Sequence, residues 1–130
     1  MGYIYGLLFP SGAYPDIAPY FDVRDAAKAH VLALDSPSHS VVGRKRIVIG
    51  SPFGLNFGEV KALLKKERPE VFSRWSTAEI PAHPFTKIDS DWKRINEVLG
   101  LKESDCFSVK ETILDAVDSL LALEKDWGRQ

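Results

Sequence analysis

Arg24 stands between two carboxylates, Asp22 and Asp25, in the one stretch where ionisable side chains cluster closely enough to suggest shared work. A guanidinium presents its N–H donors as a planar fork, so a single arginine can hold two carboxylates or offer part of the fork to a ligand. Two readings of Asp22, Arg24 and Asp25 follow. Either the trio orients the corner at which a helix begins, which is the preferred reading, or Arg24 contacts a ligand there.

Other reactive residue types lack the company their chemistry needs. His30, His39 and His83 lie far apart, and Cys106 has no second cysteine, so no zinc site is expected. Cys106 follows Asp105, whose charge disfavours a thiolate. Ser51, Ser76 and Ser90 have no nucleophile-elbow context, and Asp89 with Asp91 reads as a helix start rather than a metal pair. Gly50-Ser51-Pro52-Phe53-Gly54 comes nearest to a phosphate-binding turn, but Pro52 removes a donor and the next helix waits until Asn56. No catalytic residue, cofactor ligand or metal ligand is assigned.

The elements that must position these side chains follow from periodicity and punctuation. Residues 1–9 fit a helix face or a short strand equally, and Pro10, Gly12, Pro15 and Pro19 then make a loop. Tyr20 to Val23 reads as a strand edge. A helix follows with Asp25 as its N-cap, Ala27, Val31 and Leu34 on one face, and Pro37 beyond its end; His30 lies mid-helix as a structural histidine. Lys45 to Gly50 is a β-branched run closed by glycine, the pattern of a buried strand. Asn56 and Glu59 open a second helix with Val60, Leu63 and Leu64 inward and Pro69 past its end. Between residues 70 and 84 the period is lost, although Phe72, Trp75 and Ile80 have the character of packed residues. A third helix runs from Asp91 to Leu99 and stops at Gly100. Ser108 and Glu111 form a capping box for the clearest helix, in which Val109, Ile113, Ala116, Val117, Leu120 and Leu121 share a face.

A chain of 130 residues suits one folded unit, and its 45% hydrophobic and 27% charged content is that of a globular protein. A net charge of −1 gives no electrostatic footprint for nucleic acid or a membrane surface, and neither partner is expected. The single cysteine excludes an internal disulfide and suits a reducing compartment, so a cytoplasmic location is expected. The apolar start has no basic region before it, so a signal peptide is not expected, and no run reaches a membrane span of about 20 apolar residues.

The segment FDVRDAAKAHVLAL, Phe21 to Leu34, resembles the signature of the extended short-chain dehydrogenases/reductases, in particular fungal aldehyde and methylglyoxal reductases and their dihydroflavonol and cinnamoyl-CoA reductase relatives. The likeness continues in register through Gly43 to Ile49, Phe57 to Pro69, Asp91 to Gly100 and Ser108 to Leu121, although Gly58 replaces a hydroxyl residue usual in the family. It covers residues 20–125.

The resemblance implies an α/β, helix-rich fold: the last βα unit of a Rossmann-type sheet plus a small substrate-side helical domain. It divides the chain into residues 1–19, a remnant and loop, and residues 20–130, the substrate-side domain. The implied reaction is NADPH- or NADH-dependent reduction of a small aldehyde or ketone. The family's Gly-rich turn and Tyr-x-x-x-Lys pair are missing, since Tyr3, Tyr5, Tyr14 and Tyr20 are followed at the fourth place by Leu7, Phe9, Ala18 and Arg24. The isolated chain is therefore expected to bind no dinucleotide and to be inactive, with Tyr14, Tyr20 and Phe53 lining a substrate pocket. Its Lys45 to Gly50 strand, lacking a neighbour, is expected to drive homo-oligomerisation, to be covered by residues 1–19, or to leave the chain marginally stable. The reading from a different class is a degenerate, non-catalytic binding or scaffold module that acts by pairing with another chain.

Overall fold

The computed structural model describes residues 2–82 and 86–128; His83 lies outside them. The described residues form helices α1 (Gly2–Leu7), α2 (Val23–Leu34), α3 (His39–Val42), α4 (Phe57–Glu67), α5 (Pro69–Phe72), α6 (Trp92–Leu99) and α7 (Val109–Asp126), with one 3-10 turn at Glu103–Asp105. No strand occurs among them, which overturns the expected α/β fold: the chain is not a Rossmann-type fragment.

The reason lies in how residues 45–50 are held. No backbone–backbone hydrogen bond joins residues 45–49 to a neighbouring segment among the described residues, and a strand exists only through such a ladder. The run is pinned at its ends instead. Arg94 donates to the carbonyls of Val42 and Arg44, and the Gly50 N–H donates to Ser90 Oγ at 3.0 Å. Gly50 fits because a Cβ there would meet Ile88 Cβ at 2.8 Å. The alternation survives without the strand: Ile47 and Ile49 turn inward and Val48 is 67% exposed.

Local chemistry sets the helix ends. Ser108 and Glu111 form the expected reciprocal capping box of α7. Asn56 Oδ1 accepts from Gly58 and Glu59 N–H, so Glu59 supplies a backbone donor rather than a box carboxylate. Asp91 caps α6, and Gly100 closes it in the left-handed conformation at φ 67°. At α2 the cap is Asp22, whose Oδ1 accepts from Arg24 N–H at 2.8 Å; Asp25, expected to be the cap, lies in the first turn.

Two apolar clusters organise the chain. The larger joins α1, α4, α5 and α7 through Leu7, Leu8, Val60, Leu64, Val71 and Val117, with Trp75 and Tyr14 closing it. The smaller joins α2, α6 and residues 47–49 around Ala29, Ile95 and Leu101. Burial of Ala29 orients α2, so Ala27, Val31 and Leu34 face solvent, with Leu34 84% exposed. The sequence shows two apolar stripes on α2, and the stripe read as inward is the outward one.

Candidate functional site

The polar corner at the start of α2 is where ionisable groups converge. Asp22 is 5% exposed, so its carboxylate has little access to water. Arg24 compensates it with Nε to Oδ1 at 3.0 Å and Nη2 to Oδ2 at 2.8 Å, the paired geometry available to a guanidinium. Thr112 of α7 adds an O–H donor to Asp22 Oδ2 at 2.7 Å. Hydrogen bonds from Arg24 hold the Asp22 pKa down to about 2, against an opposing push from burial. The second carboxylate on Arg24 is Asp115 of α7, which accepts from Nη1 at 2.5 Å. The ring of Phe107 lies 3.6 Å below the guanidinium carbon. The preferred reading of Arg24 as a corner-holding residue fits this arrangement, but the corner is closed by α7 and not by Asp25.

Asp25 turns into the protein. It is 2% exposed, and its Oδ2 accepts the Phe107 N–H at 3.0 Å while Oδ1 is buried without a hydrogen bond. Burial raises its pKa, and that cost outweighs the help of the Phe107 amide. Cys106 lies close by. Burial pushes its thiol up to about 11, with the Asp25 charge as the next cause and Asp105 a smaller one, so the thiolate is disfavoured mainly by burial and only in small part by the neighbouring Asp105.

The three aromatics expected to line a pocket are placed differently from one another. Tyr20 lines a cavity of about 360 Å³ between the start of α2 and α7, with Ile4, Leu55 and Ile113 among the other walls. Its hydroxyl is buried without an ordinary hydrogen bond. Burial raises its pKa, the Ser51 and Thr112 hydroxyls oppose that, and the Asp22 and Asp25 charges add to it. Tyr14 sits in the larger cluster, its ring edge-on to Phe57 at 5.1 Å and its oxygen accepting from Trp75 Nε1 at 3.2 Å. Phe53 lies in the loop before α4 and is 37% exposed. Only Tyr20 meets the polar corner.

The loop at residues 50–54 does not fit a dinucleotide. Gly50 N–H serves Ser90, Ser51 N–H serves the Tyr20 carbonyl, Phe53 N–H serves Ser51 Oγ, and Pro52 has no N–H. A pyrophosphate needs several free backbone donors converging on it, and those of Gly50, Ser51 and Phe53 are spent. His30 is exposed, with Nδ1 2.7 Å from the Ala26 carbonyl, and no metal-binding group of three or more ligands occurs among the described residues.

Sequence reasoning missed the α7 partners. Thr112 and Asp115 are one turn apart on a helix otherwise read only for its apolar face. It also missed Glu124, which takes Arg74 at 2.6 and 2.9 Å and extends the buried series Ile113, Val117, Leu120 by one more turn. An acidic residue in register with a buried stripe was the available signal for a buried ion pair.

Comparison with known proteins gives one bearing. The chain is 30% identical over 122 residues to a Candida albicans protein provisionally named an NADPH-dependent methylglyoxal reductase. The match covers 86% of this chain but 32% of that relative, so the chain spans about a third of the length of the curated protein it matches. No family model and no solved structure matches. No helix of the described residues is long and apolar enough to cross a membrane. The similarity supports a reductase-related family.

Proposed function

We propose that this chain is the substrate-side portion of a carbonyl reductase of the extended short-chain dehydrogenase/reductase type, acting on a small aldehyde or ketone with NADPH, or NADH, as hydride donor. The observation that carries the reading is the sequence similarity to an NADPH-dependent reductase over 86% of the chain. The Asp22–Arg24–Asp115 corner has the role of a scaffold in it: every charge there is committed to another, and none is placed to give or take a substrate proton. The hydride donor and the proton donor would both lie in a portion outside these residues. Alone, the chain holds no dinucleotide and reduces nothing.

A chimera tests this. This chain replaces the matching third of the Candida relative, and NADPH oxidation is followed with methylglyoxal. Retained NADPH consumption is the expected result. A folded chimera that still binds NADPH but consumes none overturns the reading, as does turnover by the isolated chain.

A second reading keeps the chain as a non-catalytic module that pairs with another chain, including a second copy. Val31, Leu34 and Val48 favour it, at 61%, 84% and 67% exposed, together with backbone at residues 45–49 that is unpaired among the described residues. Val31 and Leu34 share the outward face of α2, and neighbouring exposed apolar residues mark interaction surfaces. Light scattering over a range of concentrations tests the second copy as partner: a constant monomer mass overturns self-pairing.

A further inference from the structure

The cavity beside Tyr20 has chemistry of its own, independent of whether the chain is part of a reductase. Its volume of about 360 Å³ is within the range of small-molecule sites. Ile4, Phe21, Val23, Leu55, Ile113 and Ala116 supply apolar walls. Water in such a space makes few hydrogen bonds, so an apolar guest that displaces it gains free energy from its own desolvation.

The polar groups at one end decide what kind of guest. Asp22, Arg24, Thr112 and Asp115 all border the cavity, and all are already engaged with one another. Each of the three Arg24 guanidinium nitrogens donates to a carboxylate, one face of the group is covered by Phe107, and the Thr112 hydroxyl donates to Asp22. One cation faces two carboxylates, so this end of the cavity carries net negative charge. An anion entering here would meet that charge with no uncommitted cation to receive it. A neutral molecule avoids this repulsion and still buries its apolar surface.

We propose that this cavity binds a small, uncharged, predominantly apolar molecule and rejects anions of the same shape. A matched pair of fluorescent probes tests both halves: phenylnaphthylamine, which is neutral, and anilinonaphthalene sulfonate, which adds a sulfonate to the same frame. The full chain is titrated with each at low salt. The neutral probe is expected to bind roughly tenfold tighter than the anion. Ala116→Phe, which fills the cavity, reduces neutral-probe affinity roughly tenfold, whereas Ala33→Phe, in the separate groove between α2 and residues 45–49, leaves it unchanged. Should Ala116→Phe fail to fold, Ser119→Trp at the exposed rim blocks the mouth from outside the core. Asp115→Lys reverses the sign of the rim charge and narrows the gap between the probes. Equal or tighter binding of the sulfonate to the unmodified chain, or neutral-probe binding that survives blockage of the cavity, overturns the proposal.

Discussion

Arg24 of α2 donates to Asp115 of α7 across 91 residues of sequence, at 2.5 Å, while its other two nitrogens hold the carboxylate that caps its own helix. The same side chain therefore completes a helix start and fastens that helix to the longest one in the fold. Asp115 is largely exposed, so its share of the arrangement is screened by water; Asp22 is not, and depends on Arg24. Arg24→Gln should lower the urea midpoint clearly, because it strands a buried carboxylate. Asp115→Asn should barely move it, and Arg24→Lys should fall between, since an ammonium cannot pair both oxygens in the plane. Equal losses for Arg24→Gln and Asp115→Asn would falsify this division of roles.

The depressed pKa of Asp22 makes a pH prediction with a definite sign. An acid whose pKa drops on folding, here from 3.8 to about 2, binds fewer protons in the native state. Its stabilisation is complete above the unfolded value and is lost as pH falls through the interval from about 4 to about 2. The shift corresponds to roughly 2 kcal/mol. Asp22→Asn keeps a good N-cap residue while removing the titration. It should cost stability at pH 7 and flatten the acid limb of a stability profile; an unchanged acid limb would count against the assignment.

Cys106 and Asp25 are coupled in the opposite sense. With a thiol raised to about 11, the thiolate fraction near pH 8 is on the order of a hundredfold below that of a free cysteine. Alkylation by iodoacetamide should be slow to match. Asp25→Asn removes a negative charge beside the sulfur and should speed the reaction. The same substitution removes a carboxylate whose pKa folding raises, a group that opposes folding increasingly as pH rises through that pKa. The variant should therefore gain on the parent with rising pH, read as thermal midpoints across the acid range.

Leu64 and Ile95 are each fully buried, one in each apolar cluster. Replacing either by alanine should cost about 3 kcal/mol if its surroundings cannot collapse. Hydrogen exchange should separate them. Ile95→Ala should deprotect α2 and α6 ahead of α7, and Leu64→Ala should deprotect α4 and α7 first. Uniform loss of protection in both variants would mean that the clusters open as one unit.

Legibility of the fold from sequence followed the range of the interactions. Caps and stripes are local, so Ser108 with Glu111, Asp91 with Gly100, and the α7 face of Ile113, Val117 and Leu120 were all readable. The strand at Lys45–Gly50 was not realised because a strand is a relationship between two segments, and the β-branched Ile47-Val48-Ile49 carries only one side of it. The facing of α2 failed for a similar reason. Ala29 and Leu32 can be buried as readily as Val31 and Leu34, and only packing against α6 decided. At the candidate site, Arg24 and Asp22 were found because they are neighbours in sequence, whereas Asp115 and Thr112 come from the far end of the chain.

The outward face of α2 has a consequence for handling the protein. Asp25, Ala29 and Leu32 on one side face the protein interior, while Val23, Ala27, Val31 and Leu34 on the other meet water. A helix apolar on both sides has the composition of an interior helix, not of a surface one. It lends the molecule an adhesive flank, and solubility should depend more steeply on that single helix than on net charge. Exchanging Val31 and Leu34 for Lys or Glu should raise the concentration the protein tolerates while leaving its unfolding midpoint nearly where it was.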